Sequence, residues 1–308
     1  MENQKQYDLI IIGSGPAGLS AAIYAQRAKL ETLIIEKELM SGGQVVNTYE
    51  VENYPGLKGI NGFDLAMKFR THAEELGAVF AEDEVTGIER LETGFKVVCA
   101  AHTHEAKAVI VATGATHRKL GVPGEDTFAG KGVSYCATCD GAFFRNKTTA
   151  VVGGGDVAVE DAIFLARMCE KVYVIHRRDE LRAAKILQER LFALPNVELV
   201  WNSTVEQIHG TSSVEELEVK NKLTGETIRL KTDGVFIAVG IVPHSEIFAG
   251  LVETDEQGYL IAEEDGKTSV PGIFAAGDVR TKQLRQIVTA ASDGANALAS
   301  VERWMLEQ

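Results

Sequence analysis

With 44 acidic against 31 basic residues in 308, the chain carries a formal charge of −13. It lacks the concentrated positive charge that nucleic acids and anionic membranes attract, so neither partner is expected. The length exceeds one ordinary domain and predicts two. Four cysteines are too few for a secreted disulfide scaffold, and the apolar run 9–12, cut by Gly13, is too short for a signal or membrane segment, so a cytoplasmic protein is expected.

The first predicted strand, 7–12, runs directly into Gly13-Ser14-Gly15-Pro16-Ala17-Gly18 and then a helical stretch, 19–28. Glycines between strand and helix allow a tight turn and close backbone approach, so a diphosphate can accept hydrogen bonds from amides at the helix start. A second strand, 32–35, ends in Glu36, an acid placed to accept hydrogen bonds from ribose hydroxyls. The glycine pattern alone is weak; the strand before it and the acid after it make it a dinucleotide unit.

The redox motif follows in chain order: Cys136-Ala137-Thr138-Cys139-Asp140. Two cysteines at this spacing can close a small disulfide ring, and one thiolate can be stabilised by a helix start. Asp140 can pass a proton to or from the outgoing thiolate. The competing reading is half of a zinc site, which would need two further ligands. Cys99 and Cys169 stand outside any paired motif and are expected to be buried, inert thiols, so no metal is expected. Downstream of the pair, Phe143 and Phe144, with Lys131 upstream, are expected to dock a protein partner; a place in the core for both phenylalanines is the alternative.

A second dinucleotide unit follows. Strand 150–152 leads into Gly153-Gly154-Gly155-Asp156-Val157-Ala158, helix 159–168 and strand 172–175. Glu36 and His176 each stand 23 residues after the first glycine of their unit. Where the first unit has an acid, the second has His176-Arg177-Arg178, a cluster able to bind a 2′-phosphate, which favours NADPH over NADH. Arg182 adds to it; a solvated charged turn is the alternative. Near the C-terminus, strand 273–276 ends at Gly277-Asp278, before 282–286 and a helix rich in small residues. Asp278 could hold a polyol chain or serve as a cap, and the helix start would present positive potential to an anion.

These stretches, together with Gly42-Gly43-Gln44, Glu52-Asn53-Tyr54-Pro55-Gly56 and Ala112-Thr113-Gly114-Ala115, make the chain resemble the low-molecular-weight, bacterial-type thioredoxin reductases over nearly its whole length. The resemblance implies an α/β fold of two Rossmann-like three-layer dinucleotide-binding domains, the second inserted into the first: FAD-binding at 1–117 and 246–308, NADPH-binding with the CxxC pair at 118–245. It places FAD at Gly13, Ser14, Gly15, Ala17, Gly18, Glu36, Gly43, Gln44, Asn53, Thr113 and Gly114, and on the C-terminal side at Gly277, Asp278, Arg285, Gln286 and Ile287. NADPH would lie at Gly153, Gly155, Asp156, Val157, His176, Arg177, Arg178 and Arg182.

The activity implied is transfer of electrons from NADPH through FAD and the Cys136/Cys139 disulfide to thioredoxin or a thioredoxin-like protein, by a homodimer. The resemblance also puts Cys139 nearer the flavin and implies that the inserted domain rotates about hinges at His117 and 243–245. Val157 departs from the family, which commonly has a hydroxyl residue there, and this weakens the expected grip on the nicotinamide cofactor. A dithiol oxidase or ferredoxin-fed reductase on the same fold, or a non-catalytic sensor of nucleotide redox state, are the alternatives.

Overall fold

The computed structural model describes residues 6–48, 50–51 and 53–308. In chain order the elements are β1 (Gln6–Ile12), α1 (Pro16–Arg27), β2 (Thr32–Glu36), α2 (Gly62–Glu75), β3 (Val79–Glu82), β4 (Val85–Arg90), β5 (Phe95–Cys99), β6 (Thr103–Val111) and β7 (Ala115–His117). Then come β8 (Val133–Ser134), α3 (Ala137–Asp140), β9 (Thr148–Gly153), α4 (Asp156–Ala166), β10 (Lys171–Ile175), α5 (Lys185–Phe192), β11 (Val197–Val200), β12 (Ser203–Gly210), β13 (Val214–Asn221), β14 (Thr227–Lys231) and β15 (Gly234–Ala238). The chain returns through β16 (Ile241–Pro243) to β17 (Ile273–Ala275) and α6 (Ile287–Leu306).

Two compact units result: Met1–Thr116 with Val242–Gln308, and His117–Ile241. The return crossing thus falls at Ile241–Val242, earlier than Ser245. The reason is local bonding: the His244 amide donates to Gly114 O at 3.0 Å, the Thr113 hydroxyl donates to His244 O at 2.6 Å, and the Ser245 hydroxyl donates to Gly258 O at 2.5 Å. The two crossing strands, β7 and β16, pair with each other.

In the first unit, β3-β2-β1-β6 form a parallel sheet that β17 joins at β6, and β4 and β5 extend it as an antiparallel ribbon. A strand buried on both faces needs a continuous apolar run. In β1, Leu9 and Ile11 meet Leu19, Leu298 and Val301 on the helical side, while Ile10 and Ile12 meet Phe95, Val97 and Phe248 on the other.

The second unit repeats the plan. Its parallel sheet runs β11-β10-β9-β15-β8, beside an antiparallel β12-β13-β14. Val151 packs with Val159 and Leu165 of α4, and Ala150 and Val152 pack with Ile208, Leu217 and Val219 of the antiparallel sheet. Each unit is therefore three-layered. The middle strand of each carries its glycine turn at the carboxyl end, where open α/β sheets bind ligands.

Candidate active site

The first glycine turn depends on backbone that only glycine tolerates. Gly13 has φ +101°, and a Cβ there would lie 2.5 Å from Ala112 O; a Cβ on Gly18 would lie 1.9 Å from Gly13 O. Gly15, by contrast, faces open space, as does Gly155 in the second unit. Both helices start on these glycines without a side-chain cap. Amide donors are thereby left for a ligand, and the open space above Gly15 and Gly155 lets one approach the backbone closely.

Most of the predicted first-unit residues converge around the start of α1. Gly43 lies against Gly15, Gly13 against Ala112 and Thr113, and Gly277 against Ala17. Glu36 closes on the turn: its Oε2 accepts from the Ser14 amide at 2.8 Å and the Ser14 hydroxyl at 2.7 Å. Gln44 donates from its side chain to Ala115 O. Asn53 donates to Gln286 Oε1 at 2.8 Å, and Gln286 caps α6 ahead of Ile287. Gly114 takes φ +70° beside Thr113. Glu52 lies outside the described residues.

Asp278 and Arg285 each have a buried polar atom left unsatisfied among the described residues. Asp278 Oδ1 and Arg285 Nε are buried without a partner among the described residues, and Arg285 sits 4.0 Å over the Tyr259 ring. Burial pushes the Asp278 carboxyl up, against the pull of Lys282 and Arg285. Buried polar groups of this kind can be satisfied by a water, an ion or a ligand. Sequence reading missed what holds this loop. Asp293 of α6 accepts from Arg280 Nη2 at 2.7 Å, from Lys282 Nζ at 2.8 Å and from the Gly277 amide at 2.9 Å. An acid on the buried stripe Ala290, Ala297, Val301 was the available signal, because a charge there demands a partner.

In the second unit, Arg177, Arg178 and Arg182 are exposed and no ion pair engages them among the described residues, which suits a phosphate. His176 does not join them. It is 5% exposed, its ring fills the space where a Cβ on Gly154 would sit, at 2.3 Å, and its Nε2 has no partner among the described residues. Burial, then the charge of Arg182, holds its pKa low. Asp156 Oδ1 is spent on the Ala184 amide at 2.7 Å, which ties the arginine loop to α4. Val157 is 58% exposed at the helix start.

Cys136 and Cys139 form a disulfide at the start of the short helix α3. The Cys139 amide donates to Cys136 Sγ at 3.2 Å. Cys99 and Cys169 are free and buried; burial, with the charge of Asp83, lifts the Cys99 thiol to about 11, and burial raises Cys169. No cluster among the described residues could hold a metal.

The sequence reading also missed Ser134, two residues before Cys136. Its hydroxyl donates to Asp140 Oδ2 at 2.6 Å and accepts from the Cys136 amide at 3.1 Å. Burial raises the Asp140 pKa, only partly opposed by the Ser134 hydrogen bond. Asp140 thus holds a proton more readily than a free carboxyl beside the sulfur pair. Upstream, Tyr135 donates to Glu125 at 2.7 Å and stacks on His117, fixing the strand that enters the motif. Phe143 is 43% exposed, but Phe144 is 8% exposed. Phe144 packs edge-on against Phe236 and fills the space beside Gly234, so it is a core residue and not a docking one. Lys131 is exposed.

Fold and site together define a disulfide oxidoreductase built on two dinucleotide-binding units. Residues 7–294 match the family described as pyridine nucleotide-disulphide oxidoreductase. Thioredoxin reductases of Listeria innocua and Bacillus subtilis are 48% and 47% identical, the alignments covering 99% and 100% of this chain and 95% and 97% of theirs. The solved thioredoxin reductase of Streptococcus pyogenes is 46% identical with a TM-score of 0.95, covering 99% of this chain and 100% of that one. That of Lactococcus lactis in its FR conformation is 45% identical over 98% and 100%, with a TM-score of 0.67. The chain belongs to the pyridine nucleotide-disulphide oxidoreductases, among the thioredoxin reductases. Enzymes of this group use FAD and NADPH, and the open glycine turns, with Asp278 Oδ1 unsatisfied and Arg177, Arg178 and Arg182 in no ion pair among the described residues, fit such cofactors.

Proposed function

We propose that the protein reduces the disulfide of thioredoxin with electrons from NADPH, through FAD and its own Cys136–Cys139 pair. The observation that carries this reading is the redox pair itself: a disulfide closed at a helix start, followed by a carboxyl whose pKa burial raises, inside the second unit. FAD, when bound, supplies the two-electron relay between a hydride donor and a disulfide. It would be held in the first unit by the amides after Gly13, by Glu36, and by Gln44, Asn53, Asp278, Arg285 and Gln286. NADPH would lie at the Gly153–Val157 turn, with Arg177, Arg178 and Arg182 on its 2′-phosphate.

Reducing a disulfide to a dithiol takes up two electrons and two protons. Asp140, kept protonatable by burial and aimed by Ser134, holds one of those protons at the sulfurs. Cys139 faces the flavin and Cys136 the incoming thioredoxin. Lys131 and Phe143 take part in docking, and the enzyme works as a cytoplasmic homodimer. Among the described residues no helix is long and apolar enough to cross a membrane.

Both the nicotinamide turn and the disulfide lie on the second unit, so they serve one flavin in turn, and the second unit rotates about the paired crossings β7 and β16. Two relatives of nearly equal identity with TM-scores of 0.95 and 0.67 support this reading. Cross-linking the two crossings should block multiple turnover.

The deciding experiment is an anaerobic absorbance titration. The purified protein should be yellow, bleach with NADPH and regain its colour with oxidised thioredoxin. The Cys136→Ser variant should keep a long-wavelength thiolate–flavin band that Cys139→Ser lacks. Colourless protein, or flavin that NADPH cannot reduce, would favour a nucleotide sensor instead.

A further inference from the structure

A line of side chains runs from α2 to Glu36. Arg70 Nη1 donates to Ser41 Oγ at 2.8 Å, the Ser41 and Ser14 hydroxyls are 2.8 Å apart, and the Ser14 hydroxyl donates to Glu36 Oε2 at 2.7 Å. Ser14 is 0% and Ser41 4% exposed. An arginine has only donors and a carboxylate only acceptors. Each serine has a single hydrogen. With Ser14's hydrogen spent on Glu36, the contact between the hydroxyls must run from Ser41 to Ser14. The chain therefore has one polarity, each bond strengthening the next.

Both ends are fixed. Arg70 lies 3.2 Å over the Phe80 ring and donates from Nε to Glu74 at 2.7 Å. The Ser14 amide also bonds Glu36 Oε2, so that oxygen is taken. Oε1 receives only the Glu38 amide, at 3.1 Å, among the described residues, and retains capacity for further donors.

We infer that Arg70, Ser41 and Ser14 form a directed hydrogen-bond relay that positions Glu36 for the ribose hydroxyls of FAD, with Arg70 and Ser41 acting only through Glu36. The inference rests on the proposed role of Glu36 at the FAD ribose. Fixing the carboxylate before the ribose arrives lowers the cost of ordering it on binding, and the relay does so from a helix that the glycine fingerprint does not include. Gly42 links the parts mechanically: its amide donates to Ser14 O at 2.8 Å, and a Cβ on it would lie 2.4 Å from Ala66 Cβ of α2.

The test is the rate at which FAD leaves the full-length holoprotein on dilution, followed by the fluorescence of the released flavin. Ser41→Ala and Arg70→Met should each speed release about tenfold, the scale of one lost charge-assisted hydrogen bond, and Ser41→Thr, which keeps the hydroxyl, should restore slow release. In a Glu36→Ala background, which itself releases FAD faster, neither change should add more than about twofold, because the relay has lost its target. Thermal melts of each variant report folding separately. Release unchanged by Ser41→Ala and Arg70→Met, or sped by the same factor with and without Glu36, would overturn the relay. If Glu36→Ala alone left release unchanged, the ribose role of Glu36 would fall and the relay with it.

Discussion

Asp293 in the first unit and Asp140 in the second are both carboxylates withdrawn from water, and the protein treats them in opposite ways. Burial would raise both. Around Asp293, hydrogen bonds from Arg280 and Lys282 overcome that effect and hold the pKa low; its partners Arg280 and Lys282 are themselves 6% exposed. Around Asp140 the hydrogen bond from Ser134 does not overcome burial and the pKa stays high. A fully matched buried charge fixes a loop in place, whereas an undermatched one remains able to exchange a proton. Perturbed acids of the second kind are the ones that gather at reactive sites.

The contrast can be broken by removing each charge. Asp140→Asn should cost thioredoxin turnover about 10²- to 10⁴-fold, the range of a lost general acid–base. It should leave the melting temperature equal or higher. A buried acid with a raised folded pKa stabilises fully only below its unfolded value, and that contribution is lost as pH rises through the folded one. The wild-type rate should accordingly decline with rising pH through the Asp140 pKa, and the variant profile should be flat there. A variant with full turnover would remove Asp140 from the chemistry.

Asp293→Asn should behave the other way. It leaves two buried cations short of their counter-charge, at a cost of about 3–5 kcal/mol in unfolding free energy, measured by denaturant titration of the holoprotein. Because its folded pKa is depressed, wild-type stability from this site is present above the unfolded value of about 3.9 and is lost as pH falls through the folded one. An equal loss of stability in Asp140→Asn would dissolve the distinction between the two acids.

Smaller effects sharpen it at the surface. Arg177 and Arg178 are exposed and in no ion pair among the described residues, so Arg177→Ala/Arg178→Ala should raise the KM for NADPH about tenfold and leave that for NADH nearly unchanged, the exposed setting keeping the loss near the low end for charge-assisted bonds. Equal losses with both donors would assign the pair to the fold. Phe143→Ala should raise the KM for thioredoxin about fivefold, as for a modest interface anchor, and spare reduction of a small dye by NADPH. Parallel loss of both activities would place Phe143 in a structural role.

What could be read from residues alone follows the range of the interactions involved. Gly13 to Gly18, Glu36, Gly153 to Gly155 and the cysteine pair announce themselves because strand, turn and helix are contiguous and the chemistry is local. The sequence groups His176 with its neighbours Arg177 and Arg178, yet its ring packs inward against Gly154 just past the end of β10. Phe143 and Phe144 look alike in sequence, and only packing on Phe236 separates them. The Arg70–Ser41–Ser14 line and the Arg280–Asp293–Lys282 cluster join residues from separate elements. No spacing rule links those, because the fold creates the adjacency.

The pairing of β7 with β16 has a consequence for how such a gene can be edited. The entry and exit of the inserted segment run side by side, so the coding sequence between them could be cut out and the ends rejoined through a two-residue hairpin such as Asn-Gly. Neighbouring ends of this kind are what make domain insertion tolerable. The remaining halves, Met1–Thr116 and Val242–Gln308, would then be joined as one short chain around the first sheet, and the excised stretch would become a cassette exchangeable for another domain with neighbouring ends.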